Sequence, residues 1–365
     1  MINMEPVLKR GYTAWDQALL PLDEFTERVR IVREAMRAAG LEALLVWSNQ
    51  YDYADYTYLA GMPGAGTLVL THDGDPAVFT GGGGRELPFQ RSLTWISQMS
   101  AAGPMPGRTL QAALAERNVA GGKIGVVGTD LLSAAALGNV QEGLSAYTLT
   151  DFSEALRALR ARKRPREVTT VRTALRIATD AAEAAIRVFS NGGSTTDAMV
   201  EAEKTARVNK ARDIRILANV DSDDLRPFEG LSSARRTPLL MWIGVDYHGY
   251  WADLAVTSGE SGSEAQKAVD AMITAATPGA KASDVARAGL AQLSDAAKQT
   301  ALDYGLGGGI GLALSDWPTI SPESEEVLPE GALLSLRAFT RESFASALTQ
   351  VGAGAGGAGG KLNPR

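Results

Sequence analysis

A chain of 365 residues that is 45% hydrophobic can bury a large core, and its length predicts two domains. A formal net charge of −6, with acids and bases interspersed, argues against nucleic acid or an anionic membrane surface as the main partner. There is no cysteine and there are only two histidines, which excludes disulfide and thiolate chemistry and any mechanism that needs more imidazole.

The first twenty residues lack a continuous apolar segment with a small-residue cleavage site, so no signal peptide is expected. No apolar run approaches the ~20 residues that span a bilayer. Phe25, Val29, Val32 and Met36 recur at helical spacing, and Gly40 ends that helix. Ala43 to Trp47 reads as a buried strand. Thr67 to Thr71 and Pro76 to Thr80 flank His72-Asp-Gly-Asp75, a hairpin signal in which His72 is a turn residue. A glycine run, Gly81 to Gly84, precedes a helix near Thr109 to Glu116, a strand from Lys123 to Val127 and a helix from about Asp130. Strands alternating with helices predict a small α/β domain over residues 1–158.

Arg160 to Glu167 is basic and reads as a solvated linker. Pro165 to Phe189 predicts a long helix stopped at Asn191-Gly-Gly193, and Thr195 to Val208 a second. Strands dominate from Ile214 to Thr257. Helices follow over Ser263 to Ala276 and Ser283 to Thr300, separated by Pro278-Gly279. Helices interleaved with hairpins predict an α+β second domain, residues 159–350. The glycine-alanine text after Val351 predicts a flexible tail, 351–365.

Five motifs in order carry a family resemblance. They are Leu159 to Glu167, Gly244 with Tyr247 to Asp253, Thr277 to Asp284, Gly305 to Leu312, and Leu328 to Leu336. Together they resemble the pita-bread fold of creatinase, prolidase, aminopeptidase P and methionine aminopeptidase, preceded by the smaller domain of creatinase and prolidase. The likeness spans roughly residues 20 to 340. It implies an α+β fold whose C-terminal domain holds the reaction centre.

Peptidases of that family hold two divalent metals through two Asp, one His and two Glu. By the resemblance, the first Asp slot is Trp242, the second is retained as Asp253, the His slot is Gly308 and the first Glu slot is Arg337. The last Glu slot falls within Ala347 to Gln350, where no carboxylate stands. One carboxylate offers too little to a hard dication, and a permanent guanidinium repels it, so no metal and no cofactor is expected. Creatinase works on this fold without metal, but its histidine has no counterpart in Asp223 to Glu229.

The remaining candidates are Asp253, His248, Arg337 and Tyr250 for catalysis. Arg226, Trp242, Tyr247, Tyr53, Ser315 and Asp316 are candidates for substrate binding. His248 is a candidate acid or base because unperturbed imidazole titrates near neutrality, although a hairpin-tip residue is its simpler reading. Asp253 can pair with Arg337 as a salt bridge or as a base beside an anion holder. Arg226 is a candidate carboxylate fork. Trp242 either fills the volume left by metals or, with Trp251, stacks on a ligand. Tyr250 more often packs. Ser315 has no histidine to activate it. By the resemblance, Tyr51, Tyr53 or Tyr56 lines the neighbouring subunit's cavity in a homodimer; a strand-edge cluster is the plainer reading.

These residues predict a metal-independent enzyme on a small polar, anionic or amino-acid-like substrate, performing C–N hydrolysis, elimination or rearrangement. The alternative is a non-catalytic binding protein for a peptide or metabolite. A cytoplasmic homodimer without nucleic-acid or membrane partners is expected.

Overall fold

The computed structural model describes residues 14–81, 86–259 and 263–364. The chain forms two compact units, Met1–Arg160 and Ala161–Arg365.

In the first unit, α1 (Leu22–Ala38) buries the predicted stripe of Phe25, Val29, Val32 and Met36. It is followed by β1 (Ala43–Ser48), α2 (Ala54–Ala60), β2 (Gly66–Thr71), β3 (Ala77–Thr80) and α3 (Leu87–Arg91). Then come β4 (Gln98–Ala101), α4 (Pro106–Ala115), β5 (Gly122–Val127), α5 (Ala134–Gly143), β6 (Tyr147–Asp151) and α6 (Ser153–Ala161), the last running one residue into the second unit. They build one six-stranded sheet in the order β4-β3-β2-β1-β5-β6. The central strand β1 is apolar because both faces are covered. The tyrosine cluster is not a strand edge: Ala54–Ala60 is helical, and Tyr56 and Tyr58 are buried in it. Burial of those rings outweighs the strand preference of tyrosine. Residues 82–84 of the predicted glycine run lie outside the described residues.

The second unit opens with α7 (Pro165–Ser190) and α8 (Thr195–Val208). The two helices pack against each other, and both bury alanines, among them Ala174, Ala178, Ala181 and Ala185 of α7 and Ala198, Ala202 and Ala206 of α8. A four-stranded sheet follows, ordered β10-β9-β7-β8, from β7 (Asp213–Ala218), β8 (Arg226–Pro227), β9 (Leu240–Tyr247) and β10 (Tyr250–Thr257). Helices α9 (Glu264–Ala275), α10 (Ala282–Leu290) and α11 (Asp295–Tyr304) lead to the second sheet. Its order is β12-β11-β13-β14-β15, from β11 (Gly307–Gly309), β12 (Asp316–Thr319), β13 (Leu333–Phe339), β14 (Phe344–Gln350) and β15 (Gly360–Lys361). The main core lies between α9–α11 and one face of β13, where Leu334, Leu336 and Ala338 are buried.

Three expectations are corrected. The basic segment is not a solvated linker: Arg160 is buried against Asp55 at 2.8 Å, and Lys163 and Glu167 are buried too. The helix expected over Ser283 to Thr300 is two helices, because the chain turns at 291–294 and restarts with Ser294 at the N-cap. The glycine-rich end is ordered as β15, with Leu362 donating its N–H to Leu348. Its small residues permit that contact: a Cβ on Gly359 would lie 2.7 Å from the Ile273 carbonyl oxygen and 2.8 Å from Thr349 Oγ1.

Candidate functional site

The two sheets meet where β10 runs beside β14. Ala255 N–H donates to Ser346 Oγ at 2.7 Å, and Thr257 Oγ1 donates to the Phe344 carbonyl at 2.9 Å. That junction fixes which side chains can converge. Successive residues of a strand face opposite ways, and directly opposed residues share a face. In the β9–β10 hairpin, Asp253 opposes Gly244, Trp242 opposes Ala255 and Asp246 opposes Trp251, so these six share one face. On β13 the same rule puts Ser335 and Arg337 on the side away from the core leucines.

Asp253 is 1% exposed, and its two oxygens differ. Oδ2 accepts from the Trp242 indole Nε1 at 3.0 Å and from Ser335 Oγ at 2.8 Å, and Arg337 Nη1 lies 3.6 Å away. Oδ1 is buried and accepts no hydrogen bond. Arg337 Nε donates to the Gly305 carbonyl at 3.3 Å, and its side chain is 26% exposed. The far edge of the Trp242 ring lies over Gly244, whose missing Cβ leaves room for it beside Leu314. Leu225, Trp242 and Tyr304 pack against Phe339 and Leu240 beside this carboxylate. The Tyr304 hydroxyl accepts from Leu225 N–H and donates to Asp224; burial pushes its pKa up.

Other predicted residues lie apart. His248 sits in the β9–β10 turn at φ 52°, its ring edge-on to Tyr247 at 4.6 Å. Two residues separate Tyr250 from Asp253, three strand steps or roughly 10 Å of chain, so the turn does not bring His248 to Asp253. Tyr250 lies an odd number of residues from Asp253, on the opposite face. Its hydroxyl donates to the buried Glu167 at 3.3 Å. Tyr247 opposes Tyr250 and shares that face. Arg226 opposes Ala218, on the face away from Asp253, and is exposed. Ser315 is an exposed loop residue, and Asp316 Oδ1 accepts the Trp317 N–H at 2.8 Å. Tyr53 stands at the N-cap position of α2 in the first unit.

Sequence reasoning passed over four residues. Ser335 is one; a lone serine carries no signal until β13 is registered against β10. Asp246 is fully buried, takes Gly249 N–H on Oδ1 at 2.8 Å and pairs through Oδ2 with Arg212 Nε at 3.0 Å. Burial pushes its carboxyl above the usual carboxylate range, and the Arg212 guanidinium pulls against that push. Arg215 opposes Gly244, and its guanidinium lies over the Trp251 ring at 5.0 Å.

Among the described residues, no three His, Asp or Glu side chains stand close enough to hold a metal ion. At Gly308 even a Cβ would lie 2.8 Å from the Pro318 carbonyl oxygen and 3.3 Å from that of Asp316.

The model of metallopeptidase family M24 matches residues 169–356, and that of the creatinase/prolidase N-terminal domain matches residues 28–162. The chain belongs to metallopeptidase family M24. Its second unit is the pita-bread domain and its first the creatinase-like domain. The Xaa-Pro dipeptidase of Pyrococcus furiosus is 24% identical over 229 residues, a match covering 58% of this M24 chain and 65% of that protein, so under two thirds of it. The X-Pro aminopeptidase of Thermotoga maritima superposes with a TM-score of 0.74 at 14% identity, over 92% of this chain and 97% of that one. For the prolidase of Pyrococcus horikoshii the values are 0.72, 18%, 92% and 97%. Likeness at these identities shows the fold. No helix among the described residues is long and apolar enough to cross a membrane.

Proposed function

We propose that this M24 protein is a metal-independent enzyme acting on a small polar, anionic or amino-acid-like substrate. Asp253 is its proton-transfer group and Arg337 its anion holder. The observation that carries this reading is the division of labour within one carboxylate. Oδ2 is held by an indole, a hydroxyl and a guanidinium, while Oδ1 is buried and has no donor. A carboxylate fixed by one oxygen and without a donor at the other is suited to accept a proton from a bound substrate. A guanidinium beside it suits a carboxylate or a developing oxyanion.

The donor set does not fit a pair of divalent cations. Hard cations need several anionic oxygens or imidazoles, and here one carboxylate already faces a permanent positive charge at 3.6 Å. The His slot has no room for a side chain. The relatives' names, dipeptidase and aminopeptidase, support C–N hydrolysis ahead of elimination or rearrangement.

A second reading, a non-catalytic pocket for a peptide or metabolite, is favoured by the separation of His248 and Tyr250 from Asp253, which removes the expected second acid–base group. One experiment separates the two. The protein and its Asp253→Asn and Arg337→Met variants are incubated with cell extract, and every metabolite is followed by mass spectrometry. Consumption of a substrate by the parent protein alone supports the enzyme. Identical profiles from all three contradict it, and a metabolite retained without turnover supports the binding protein.

A further inference from the structure

Asp253 and Arg337 form a loose pair. At 3.6 Å, Arg337 Nη1 stands beyond ordinary hydrogen-bond reach of Oδ2, which already accepts two shorter bonds. The guanidinium makes one hydrogen bond, through Nε to Gly305, and about a quarter of the Arg337 side chain is exposed. Of its five N–H donors, those on the two terminal nitrogens are therefore open to an acceptor. Oδ1 is an acceptor with nothing to accept, and a buried charged oxygen left in that state is costly. The site thus offers a negative acceptor and a positive donor side by side, each incompletely used.

We propose that the ligand of this site is an α-amino acid, its ammonium bonded to Asp253 Oδ1 and its carboxylate to the terminal nitrogens of Arg337. The inference rests on the metal-independent reading above and narrows its substrate class. A simple anion satisfies Arg337 and leaves Oδ1 orphaned; a simple amine does the reverse. A molecule that bears both charges close together answers both groups, so recognition demands both halves. Trp242, half-buried and bonded to the same carboxylate, supplies a wall for the ligand side chain.

The test is isothermal titration calorimetry on the full-length protein with three matched sets: free L-amino acids, the same molecules without the amine, and the same molecules without the carboxylate. At least one amino acid is expected to bind, with each matched half at least ten-fold weaker. Arg337→Met is expected to weaken the amino acid at least ten-fold, and Arg337→Lys less. Asp253→Asn gives a second arm, and thermal melting checks that each variant is folded. A deaminated acid that binds as tightly as its amino acid overturns this inference while leaving the metal-independent anion pocket intact. Failure of every amino acid to bind overturns the inference as well. A cation found at Asp253 overturns the reading beneath it.

Discussion

The two oxygens of Asp253 make opposite demands on their neighbours. Replacing Trp242 by phenylalanine keeps a ring over Gly244 and removes one donor from Oδ2. Loss of one hydrogen bond to a buried carboxylate is expected to cost about 1–3 kcal/mol, read from the urea midpoint. An unchanged midpoint would mean that the indole does not hold this carboxylate in solution. Asp246 makes a different case, since its partner is a cation. Its folded pKa lies above the unfolded value, so the native state binds the extra proton. Its contribution to stability therefore falls as pH rises from the ordinary carboxylate range through the raised value. Arg212→Met removes the charge that opposes this rise. The variant should lie nearest the parent protein at pH 4 and fall furthest behind at pH 7, by about 3–5 kcal/mol as for a broken buried pair. A deficit that does not change with pH would contradict that assignment. At this scale the sequence was legible where spacing sufficed. Asp253 and Arg337 follow from motifs, and the alternation of strands already separates Tyr250 from Asp253. Ser335 and Arg215 needed the pairing of distant strands, which no local pattern contains.

Among the elements, α7 couples the hairpin to the start of the pita-bread domain. Glu167 accepts the Arg164 N–H at 3.0 Å and the Tyr250 hydroxyl at 3.3 Å while fully buried. Glu167→Ala therefore loses a helix cap and a hydrogen bond to a buried hydroxyl, for about 2–4 kcal/mol by chemical denaturation. Tyr250→Phe should cost about 1 kcal/mol, since only the hydroxyl is lost. Equal losses would contradict the double role of Glu167. The terminal strand gives a second test. Gly359→Ala brings a methyl against the Ile273 carbonyl and Thr349, and about 1–3 kcal/mol of destabilisation is expected from overpacking. A neutral substitution would mean that this segment does not dock as β15. The long helices were legible from periodicity and caps. The break before α11 was signalled by Ser294-Asp295 but masked by continuous helix-forming residues around it. The glycine tail misled because composition alone reports entropy and cannot report close approach.

For the whole molecule, the order of five weak motifs carried the fold, and two family models and the similarity to solved prolidase and aminopeptidase structures agree with it. The proposed site reads in the sequence as a set of substitutions at the positions that the family resemblance assigns. Its hydrogen bonding does not, because it arises where β10 of one sheet meets β13 of the other. On the proposed reading, the pita-bread scaffold is kept while one carboxylate, one indole and one guanidinium stand where cations require anionic donors. The most direct measurement is elemental analysis of freshly purified protein, repeated after dialysis against manganese, cobalt, zinc and iron and removal of excess. Less than about one tenth of an equivalent of any of these per chain is predicted, since the donor set cannot offset the hydration of a dication. A stoichiometric cation that is lost in Asp253→Asn would contradict the account.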